Sequence, residues 1–217
     1  MRITAIEHQP QKRRYQVWVD HVLVVGLSTD IFALAKLREG QEITLERVQA
    51  LEEAEARHSA MAAAMRLLAY RPRSEKEMRQ ALDRRGVQPD LLAETMARLR
   101  ELRLLDDGDF ARSYVDQRDR TSPRSRRLLR AELRSRGVAA QAAGEPLAEV
   151  DEADAAYRAA GKRARSLREL AFGDFQRRLG DFLLRRGFGY ETSRETVRRL
   201  WGEVRAGEPA MPDGYSE

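Results

Sequence analysis

The sequence predicts a mainly α-helical protein of tandem three-helix repeats in an elongated array, with a small antiparallel β-sheet at the N-terminus. Three observations support this prediction. Ala, Leu, Arg and Glu dominate the 217 residues, and all four favour helix. A helix-ending pattern recurs about every 50 residues. Charged residues make up 35% and aromatic residues 6%, which favours several thin helical cores over one large core.

The N-terminal segment has the pattern of short strands. Residues 15–19 and 22–25 are β-prone runs joined at Asp20-His21, and Ile3 and Ile6 precede a turn-like Gln9-Pro10-Gln11. Three short strands bury little surface by themselves. We therefore expect this sheet to pack on the helices that follow.

Two helices are predicted between the sheet and the repeats. The first begins near Ser28 or Thr29 and ends at Gly40, and the second is long, begins after Thr44 and ends before Pro72. The apolar positions expected to line the long helix are Leu45, Val48, Leu51, Met61, Met65 and Leu68.

The repeat is marked by Gly86, Gly137 and Gly187, which are 51 and 50 residues apart. Each glycine follows an arginine at the end of a predicted helix and precedes an apolar residue. Arginine complements the helix dipole, glycine adopts the left-handed conformation, and the apolar residue folds back on the last turn. Three matches at this spacing predict three repeats.

The predicted boundaries are an N-terminal region at 1–58, repeats at 59–105, 106–150 and 151–205, and a flexible tail at 206–217. Helix starts are expected at a capping box formed by Ser74 and Glu77, at Pro89, and after Asp106 and Asp107. Further starts are expected at Ser122-Pro123 and at Thr192 with Glu195. A stripe of Leu92, Met96, Leu99 and Leu102 is expected on the third helix of the first repeat.

One helix is expected to be short or broken. Residues 139–150 contain Gly144 and Pro146, which interrupt helical structure.

Catalytic and metal-binding patterns are absent from the sequence. It contains no cysteine, no Gly-rich phosphate loop, no His-Glu-x-x-His and no nucleophile elbow. His8, His21 and His58 are far apart in the chain. We therefore predict a protein that is not an enzyme and that holds neither a cofactor nor a metal. With no signal-like or membrane-spanning stretch, we expect a cytoplasmic protein. We also expect it to be a monomer.

Basic residues are concentrated in one predicted helix. Residues 118–136 hold eight arginines against Asp119 and Glu132. At about 100° per residue, Arg126, Arg130 and Arg134 share one face, flanked by Arg127. Leu128, Leu129 and Leu133 fall on the opposite face. This pattern is typical of a contact surface for phosphates or acidic protein, because guanidinium binds both; a solvated face is the alternative interpretation.

Further basic residues extend through the third repeat. The residues predicted to bind a partner or DNA are Arg124, Arg126, Arg127, Arg130, Arg134, Lys162, Arg163, Arg165, Arg168, Arg177 and Arg178. At the helix ends, Arg84, Arg85, Arg185 and Arg186 have the simpler interpretation of complementing the helix dipole.

Two segments resemble the signature of the RecX family of bacterial recombination regulators. The first is Leu67-Leu68-x-x-Arg71-Pro72-Arg73-Ser74-Glu75-Lys76-Glu77, and the second is Leu99-x-x-Leu102-x-Leu104-Leu105-Asp106-Asp107 followed by Phe110-Ala111. The Arg-Gly-apolar helix endings at Gly86, Gly137 and Gly187 are also similar to that family. The resemblance extends from about residue 60 to residue 205.

The resemblance implies a function. RecX proteins bind along the groove of the RecA–DNA filament and restrain ATP hydrolysis, strand exchange and co-protease function. DNA contact is then expected to be weak and independent of base sequence. Two other hypotheses stay open: a helix-turn-helix type DNA-binding regulator, and a scaffold for another protein with no role for nucleic acid.

Overall fold

The computed structural model describes residues 1–206, apart from the side chains of Leu23 and Val24. The described residues form three strands, one 3-10 turn and ten α-helices. They divide into two compact units, Met1–Leu105 and a second unit that begins at Asp106. The predicted flexible tail lies outside the described residues, except for Ala206.

The N-terminal strands form an antiparallel sheet in the order β1-β2-β3, which confirms the predicted sheet. The strands are β1 (Ile3–Gln9), β2 (Arg14–Val19) and β3 (Val22–Ser28). Asp20 and His21 connect β2 and β3 with φ values of 49° and 65°. Such a turn, with positive φ at both central residues, matches the right-handed twist of paired strands.

The sheet packs on the two helices that follow, as expected. These are α1 (Thr29–Ala35) and α2 (Leu45–Tyr70). The apolar core between sheet and helices includes Ile3, Val17, Leu27, Val48 and Leu51.

Both predicted helix starts are confirmed, because Ser28 and Thr44 cap α1 and α2 through their hydroxyl oxygens. The predicted end of α1 at Gly40 is wrong. Lys36 adopts the left-handed conformation (φ 52°) and ends the helix, and Gly40 lies in the following turn, where its N–H donates to Ile3.

Helix α2 contacts two apolar cores. Its first half packs on the sheet, and its second half packs on α3 (Glu75–Asp83) and α4 (Pro89–Glu101). Two predicted core positions on α2 are wrong, because Leu45 and Met65 are 56% and 43% exposed. Small residues fill the second core instead, with Ala63 and Ala64 buried. Leu102, predicted in the stripe of the third helix, is also wrong as a core position, since it is 45% exposed and lies just after the end of α4.

The remaining six helices form two sets of three. They are α5 (Asp107–Thr121), α6 (Arg126–Ser135), α7 (Ala140–Ala148), α8 (Glu152–Ser166), α9 (Phe172–Arg185) and α10 (Tyr190–Ala206). One continuous apolar core serves both sets and includes Phe110, Leu133, Leu147, Phe175 and Leu200. These two repeats are thus packed together by shared apolar surface.

The recurring glycines end helices as the sequence predicted. Gly86, Gly137 and Gly187 have φ values of 77°, 87° and 88°. The residue after each glycine donates its N–H to the carbonyl oxygen five positions earlier: Val87 to Leu82 at 3.3 Å, Val138 to Leu133 at 3.1 Å, and Phe188 to Leu183 at 3.2 Å. This bond defines the Schellman motif that satisfies the last carbonyls of a helix.

The predicted start of α6 at Ser122-Pro123 is wrong by one turn. Ser122 ends α5, with its N–H bonded to the Arg118 carbonyl at 2.8 Å, and Ser125 caps α6. The sequence Pro-Arg-Ser occurs at 72–74 and again at 123–125, so the cap Ser74 of α3 has its counterpart in Ser125. This internal repeat is the sequence signal that points to the correct start, and the prediction did not use it.

The predicted start of α10 at Thr192 is also wrong. The helix begins at Tyr190, directly after the Gly187 turn, and the Ser193 N–H donates to the Gly189 carbonyl at 2.9 Å. The short α7 is confirmed at nine residues, but Gly144 and Pro146 lie inside it without ending it. Burial of Ala143 and Leu147 in the shared core offsets the hydrogen bond that Pro146 cannot make.

Candidate partner-binding surface

Helix α6 is positioned by its ends and by two leucines. The Ser125 hydroxyl accepts the Leu128 N–H at 3.1 Å, which fixes the first turn. Leu129 and Leu133 are 1% and 0% exposed in the core of the second unit. The helix is therefore held along one side, and its other side faces solvent.

Three arginines share this outer side. Arg127, Arg130 and Arg134 line an open depression of about 490 Å³ together with Ala131 and Ser135. Within residues 1–206, no hydrogen bond or ion pair engages these three guanidinium groups. We call Arg127, Arg130 and Arg134 the α6 arginine face. Their planar donors are available to phosphate or carboxylate oxygens of a partner.

Arg126 does not belong to this face, which corrects the predicted grouping. Its Nε and Nη2 donate to the Val150 carbonyl at 2.9 and 2.6 Å, and its backbone N–H donates to the Glu152 carboxylate at 2.8 Å. Arg126 thus ties the first turn of α6 to the α7–α8 connection. Helical periodicity placed it with Arg130 and Arg134, but the neighbouring carbonyl determines where its guanidinium points.

Arg124 is also engaged within the protein. It forms an ion pair with Glu132, which accepts the Tyr114 hydroxyl at 2.7 Å and lies 3.5 Å from the Arg118 Nε. The Glu132 side chain is 17% exposed. Glu132, the one acid among the α6 arginines, is therefore paired with Arg124 and Arg118, which lie outside the α6 arginine face.

A second group of predicted residues lines a cleft between α8 and α10. Lys162, Arg165 and Arg168 border this cleft of about 570 Å³, and we call them the α8 basic cleft. Arg168 pairs with its exposed neighbour Glu169 at 2.9 Å. In the described part of the chain, Lys162 and Arg165 have neither a hydrogen-bond nor an ion-pair partner for their side chains.

Arg158 lies in the same cleft but is held internally. Its guanidinium bonds Asp119 at 2.7 Å and Asp154 at 2.6 Å. The hydrogen bond to Asp119 is the main cause that raises the Arg158 pKa above its usual value. Arg158 therefore links α8 to the end of α5.

The other predicted residues of the third repeat are not brought into this cleft. Arg163 stacks over the Phe182 ring at 5.3 Å. Arg177 bonds Asp174 at 2.8 Å, and this hydrogen bond lowers the Asp174 pKa. Arg178 is exposed on α9.

The signature residues of the first repeat build the α2–α3 connection. Arg71 pairs with Glu77 at 2.6 Å, Arg73 donates to the Leu67 carbonyl at 3.3 Å, and Ser74 caps α3. Burial is the main cause that lowers the Arg73 pKa, with Arg71 second. Pro72 lies between these two arginines and is exposed. The segment thus has a structural role in this repeat.

The signature residues at the next junction are structural as well. Leu105 and Phe110 are buried at 3% and 6% exposure. The Asp106 carboxylate caps α5 by accepting the N–H groups of Gly108 and Asp109 at 2.7 and 3.0 Å. An aspartate at this position also interacts favourably with the positive end of the helix dipole.

Arg186 has a role that the sequence did not reveal. Its guanidinium donates to the Ser122 hydroxyl at 3.0 Å and the Pro123 carbonyl at 3.1 Å, and it stacks over Phe182 at 4.7 Å. Burial is the main cause that lowers its pKa, with Arg124 adding to the effect. The residue joins the second and third repeats, a contact between sequence positions about 64 apart.

Residues 1–206 contain no cluster of three or more His, Cys, Asp or Glu side chains that could hold a metal ion. His8 stacks on Tyr15 at 4.5 Å, and the His58 Nε2 lies 3.4 Å from Asp30. No helix in the same range combines the length and apolarity that a bilayer span requires.

The fold and these surfaces define a helical-repeat protein whose second unit carries two exposed basic surfaces, the α6 arginine face and the α8 basic cleft. Three family models match in series: the first three-helix domain of RecX at residues 60–99, the second at 106–145 and the third at 149–197. The chain belongs to the RecX family.

Relatives and solved structures agree with this assignment. The chain is 36% identical over 148 residues to the regulatory protein RecX of Chlorobaculum tepidum, covering 68% of this chain and 92% of that protein. It is 33% identical over 150 residues to that of Lactobacillus johnsonii, covering 69% of this chain and 55% of that longer relative. A crystal structure of regulatory protein RecX shares the fold, with a TM-score of 0.65, 22% identity and coverage of 91% and 98%.

Proposed function

We propose that this protein binds the RecA–DNA filament and lowers recombinase activity, including ATP hydrolysis, strand exchange and co-protease function. The observation that carries the proposal is the α6 arginine face, where three neighbouring guanidinium groups lack partners within residues 1–206. Family membership supplies the identity of the partner, and the cytoplasm is its proposed location.

The second supporting feature is the α8 basic cleft. Lys162 and Arg165 provide charge in the third repeat, and the two repeats share one core, so both basic surfaces belong to one compact unit. A filament offers repeated acidic groups and phosphates. We propose that the α6 arginine face and the α8 basic cleft bind this filament together, as a monomer lying along its groove.

The test measures ATP hydrolysis by RecA on single-stranded DNA at equimolar added protein. The wild-type chain is expected to lower the rate. The triple variant Arg127→Gln/Arg130→Gln/Arg134→Gln is expected to lower it much less, because it removes the donors and leaves the buried leucines intact. A wild-type chain without effect on the rate would contradict the proposal.

A control variant separates a specific surface from general charge. Arg38→Gln/Arg47→Gln/Arg79→Gln removes the same charge from exposed positions in the first unit. It is expected to inhibit as the wild type does. Equal loss of inhibition in both triple variants would assign the effect to net charge and count against the α6 arginine face.

The alternative of a sequence-specific DNA regulator is distinguished by duplex binding. The outer face of α6 offers arginine and no Asn or Gln for reading bases. We therefore expect weak, salt-sensitive binding without sequence preference. A strong preference for one duplex among many would favour the helix-turn-helix regulator instead.

A further inference from the structure

The first unit contains a basic cleft that lies mostly outside the three matched family domains, with Ala62 and Arg66 as the two lining residues inside the first of them. It has a volume of about 770 Å³ and lies among the β1–β2 connection, the start of α1 and the middle of α2. The cleft is built entirely from residues 8–66, and most of its lining precedes residue 60, where the first family match begins. None of the predicted binding residues belongs to it.

The floor of the cleft is a fixed polar network. The buried Glu55 accepts the Ser28 N–H at 2.7 Å, the Ser28 hydroxyl at 2.8 Å and the Arg14 Nη2 at 3.1 Å. The same Arg14 nitrogen also donates to the Gly26 carbonyl at 2.8 Å. Both Glu55 oxygens have donors, and its charge is compensated by Arg14. The Arg14–Glu55 pair therefore shapes the cleft, and the net charge of the cleft comes from the residues on its rim.

The rim of the cleft carries three basic side chains that are not paired with acids of the described residues. Lys12, Arg13 and Arg66 line the cleft from two separate elements and are exposed. Among the described residues, their side chains take part in no hydrogen bond or ion pair. The acid on the rim is Asp30, which faces His58 at 3.4 Å. The cleft therefore favours an anionic ligand.

An ordered stack of aromatic rings borders the same cleft. The His8 ring stacks on Tyr15 with centroids 4.5 Å apart, and Tyr15 stacks on Phe32 at 3.9 Å. Tyr15 and Phe32 are partly buried, whereas His8 is exposed and lines the cleft. The stack thus ends in an accessible ring whose orientation is already set by the rings beneath it.

We propose that this cleft binds single-stranded nucleic acid, with phosphates at Lys12, Arg13 and Arg66 and a base stacked on His8. A positively charged groove beside an aromatic platform is the combination by which proteins bind single strands without reading their sequence. An acidic protein would use the cations but not the stack. Binding at this cleft does not require the recombinase. It can therefore be tested independently of the proposal that the protein binds the filament.

The stacking part is tested with the full chain, oligo-dT of about 20 nucleotides, and an abasic oligonucleotide of the same length. His8→Ala is expected to weaken oligo-dT binding about tenfold, because stacking of one base accounts for about that factor. It is expected to leave abasic binding unchanged. His8→Tyr keeps a stacking ring and is expected to bind oligo-dT as the wild type does.

The phosphate part is tested by the salt dependence of oligo-dT affinity. The variant Lys12→Gln/Arg13→Asn/Arg66→Gln is expected to reduce the slope of log affinity against log salt by about 2, since each single-strand phosphate contact contributes about 0.7. Asn is used at position 13 because Arg13 has a φ of 51°, which Asn tolerates.

Matched measurements decide the outcome. The variant Arg38→Gln/Arg47→Gln/Arg79→Gln is expected to retain most of the wild-type slope, and circular dichroism checks that every variant is folded. Equal slopes in the two triple variants would overturn the cleft as a phosphate site. An unchanged affinity of folded His8→Ala for oligo-dT would overturn base stacking and, with it, the proposed ligand.

Discussion

The Ser125 backbone N–H donates to the Arg186 carbonyl oxygen at 3.2 Å, so the first turn of α6 is bonded to the last turn of α9. Next to this bond, Gly187 passes close to the α6 start. A Cβ atom built on Gly187 would lie 2.4 Å from the Ser125 Oγ and 2.8 Å from the Leu128 Cβ. The repeat glycine thus ends its own helix and also allows the neighbouring repeat to approach.

Replacement of Gly187 by alanine is therefore expected to be costly. The left-handed φ of 88° contributes about 1–2 kcal/mol for a residue with a Cβ. The contact with Ser125 and Leu128 adds to this, so we expect Gly187→Ala to lower the free energy of unfolding by about 3 kcal/mol. Urea unfolding followed by circular dichroism measures the change.

Gly86→Ala is the comparison variant for Gly187→Ala. Gly86 has a similar φ of 77° but nothing within 4 Å of an added Cβ, so we expect a loss of about 1–2 kcal/mol. Gly180→Ala in α9 has open space and an ordinary helical conformation, and it is expected to stabilise by about 0.5–1 kcal/mol. If Gly187→Ala cost no more than Gly86→Ala, the close approach to α6 would have no energetic weight.

Replacement of Arg126 and replacement of Arg130 are expected to change the free energy of unfolding by different amounts, although both are exposed arginines on α6. Arg126→Ala removes two donors from the Val150 carbonyl and is expected to cost about 1–2 kcal/mol. Arg130→Ala removes no internal contact and should change the free energy of unfolding by less than about 0.5 kcal/mol. Thermal or urea unfolding of the two single variants measures this difference; equal values would remove the structural role of Arg126.

The Tyr157–Glu203 hydrogen bond predicts that the stability of the folded protein depends on pH. The Tyr157 hydroxyl donates to Glu203 at 2.7 Å and is the main cause that lowers the Glu203 pKa, with Arg199 second. A lowered carboxyl pKa contributes stability above the ordinary value of about 4.3, and this stability is lost as pH falls through the folded value. The same bond raises the Tyr157 pKa, and that contribution is lost as pH rises through the folded value.

Tyr157→Phe is therefore expected to move the Glu203 titration midpoint upward, towards the ordinary glutamate value. Carbon-13 NMR of the side-chain carboxyl carbons measures it. Tyr190→Phe, at a 71% exposed position, is the control and is expected to leave the Glu203 midpoint in place. A Glu203 midpoint that does not move in Tyr157→Phe would show that the hydrogen bond is not maintained in solution.

The α6 arginine face has a separate prediction for nucleic acid alone. If it contacts phosphates, Arg127→Gln/Arg130→Gln/Arg134→Gln is expected to reduce the salt slope on single-stranded DNA by about 2. Binding measured between 50 and 200 mM salt tests this. If this variant left the salt slope unchanged but no longer inhibited the recombinase, the α6 arginine face would be assigned to acidic groups of the protein filament.

Local patterns predicted much of the fold. The three glycine endings, the Ser74 cap and the leucine positions of α6 follow from short-range backbone chemistry and helical periodicity, and the structure confirms them. Errors arose where two local signals competed, as at Ser122-Pro123 against Ser125. They also arose where a core was filled by alanines in place of larger residues on α2.

The candidate site was predictable in part. A count of charges identified α6 as basic, and its buried leucines identified which side is outward. The division of its arginines into engaged and available groups depended on partners distant in sequence, such as Val150 for Arg126. The N-terminal basic cleft was not predicted, because Lys12, Arg13 and Arg66 are dispersed in the sequence and meet only after folding.

The amino-acid sequence alone thus determined the class of fold, the three repeats and the presence of a strongly basic helix, because caps, turns and helical periodicity act over a few residues. Tertiary structure decided which guanidinium groups are consumed internally, how α9 meets α6, and where the N-terminal cleft forms. Each of those outcomes depends on atoms brought together from distant positions, and no local pattern specifies their distances.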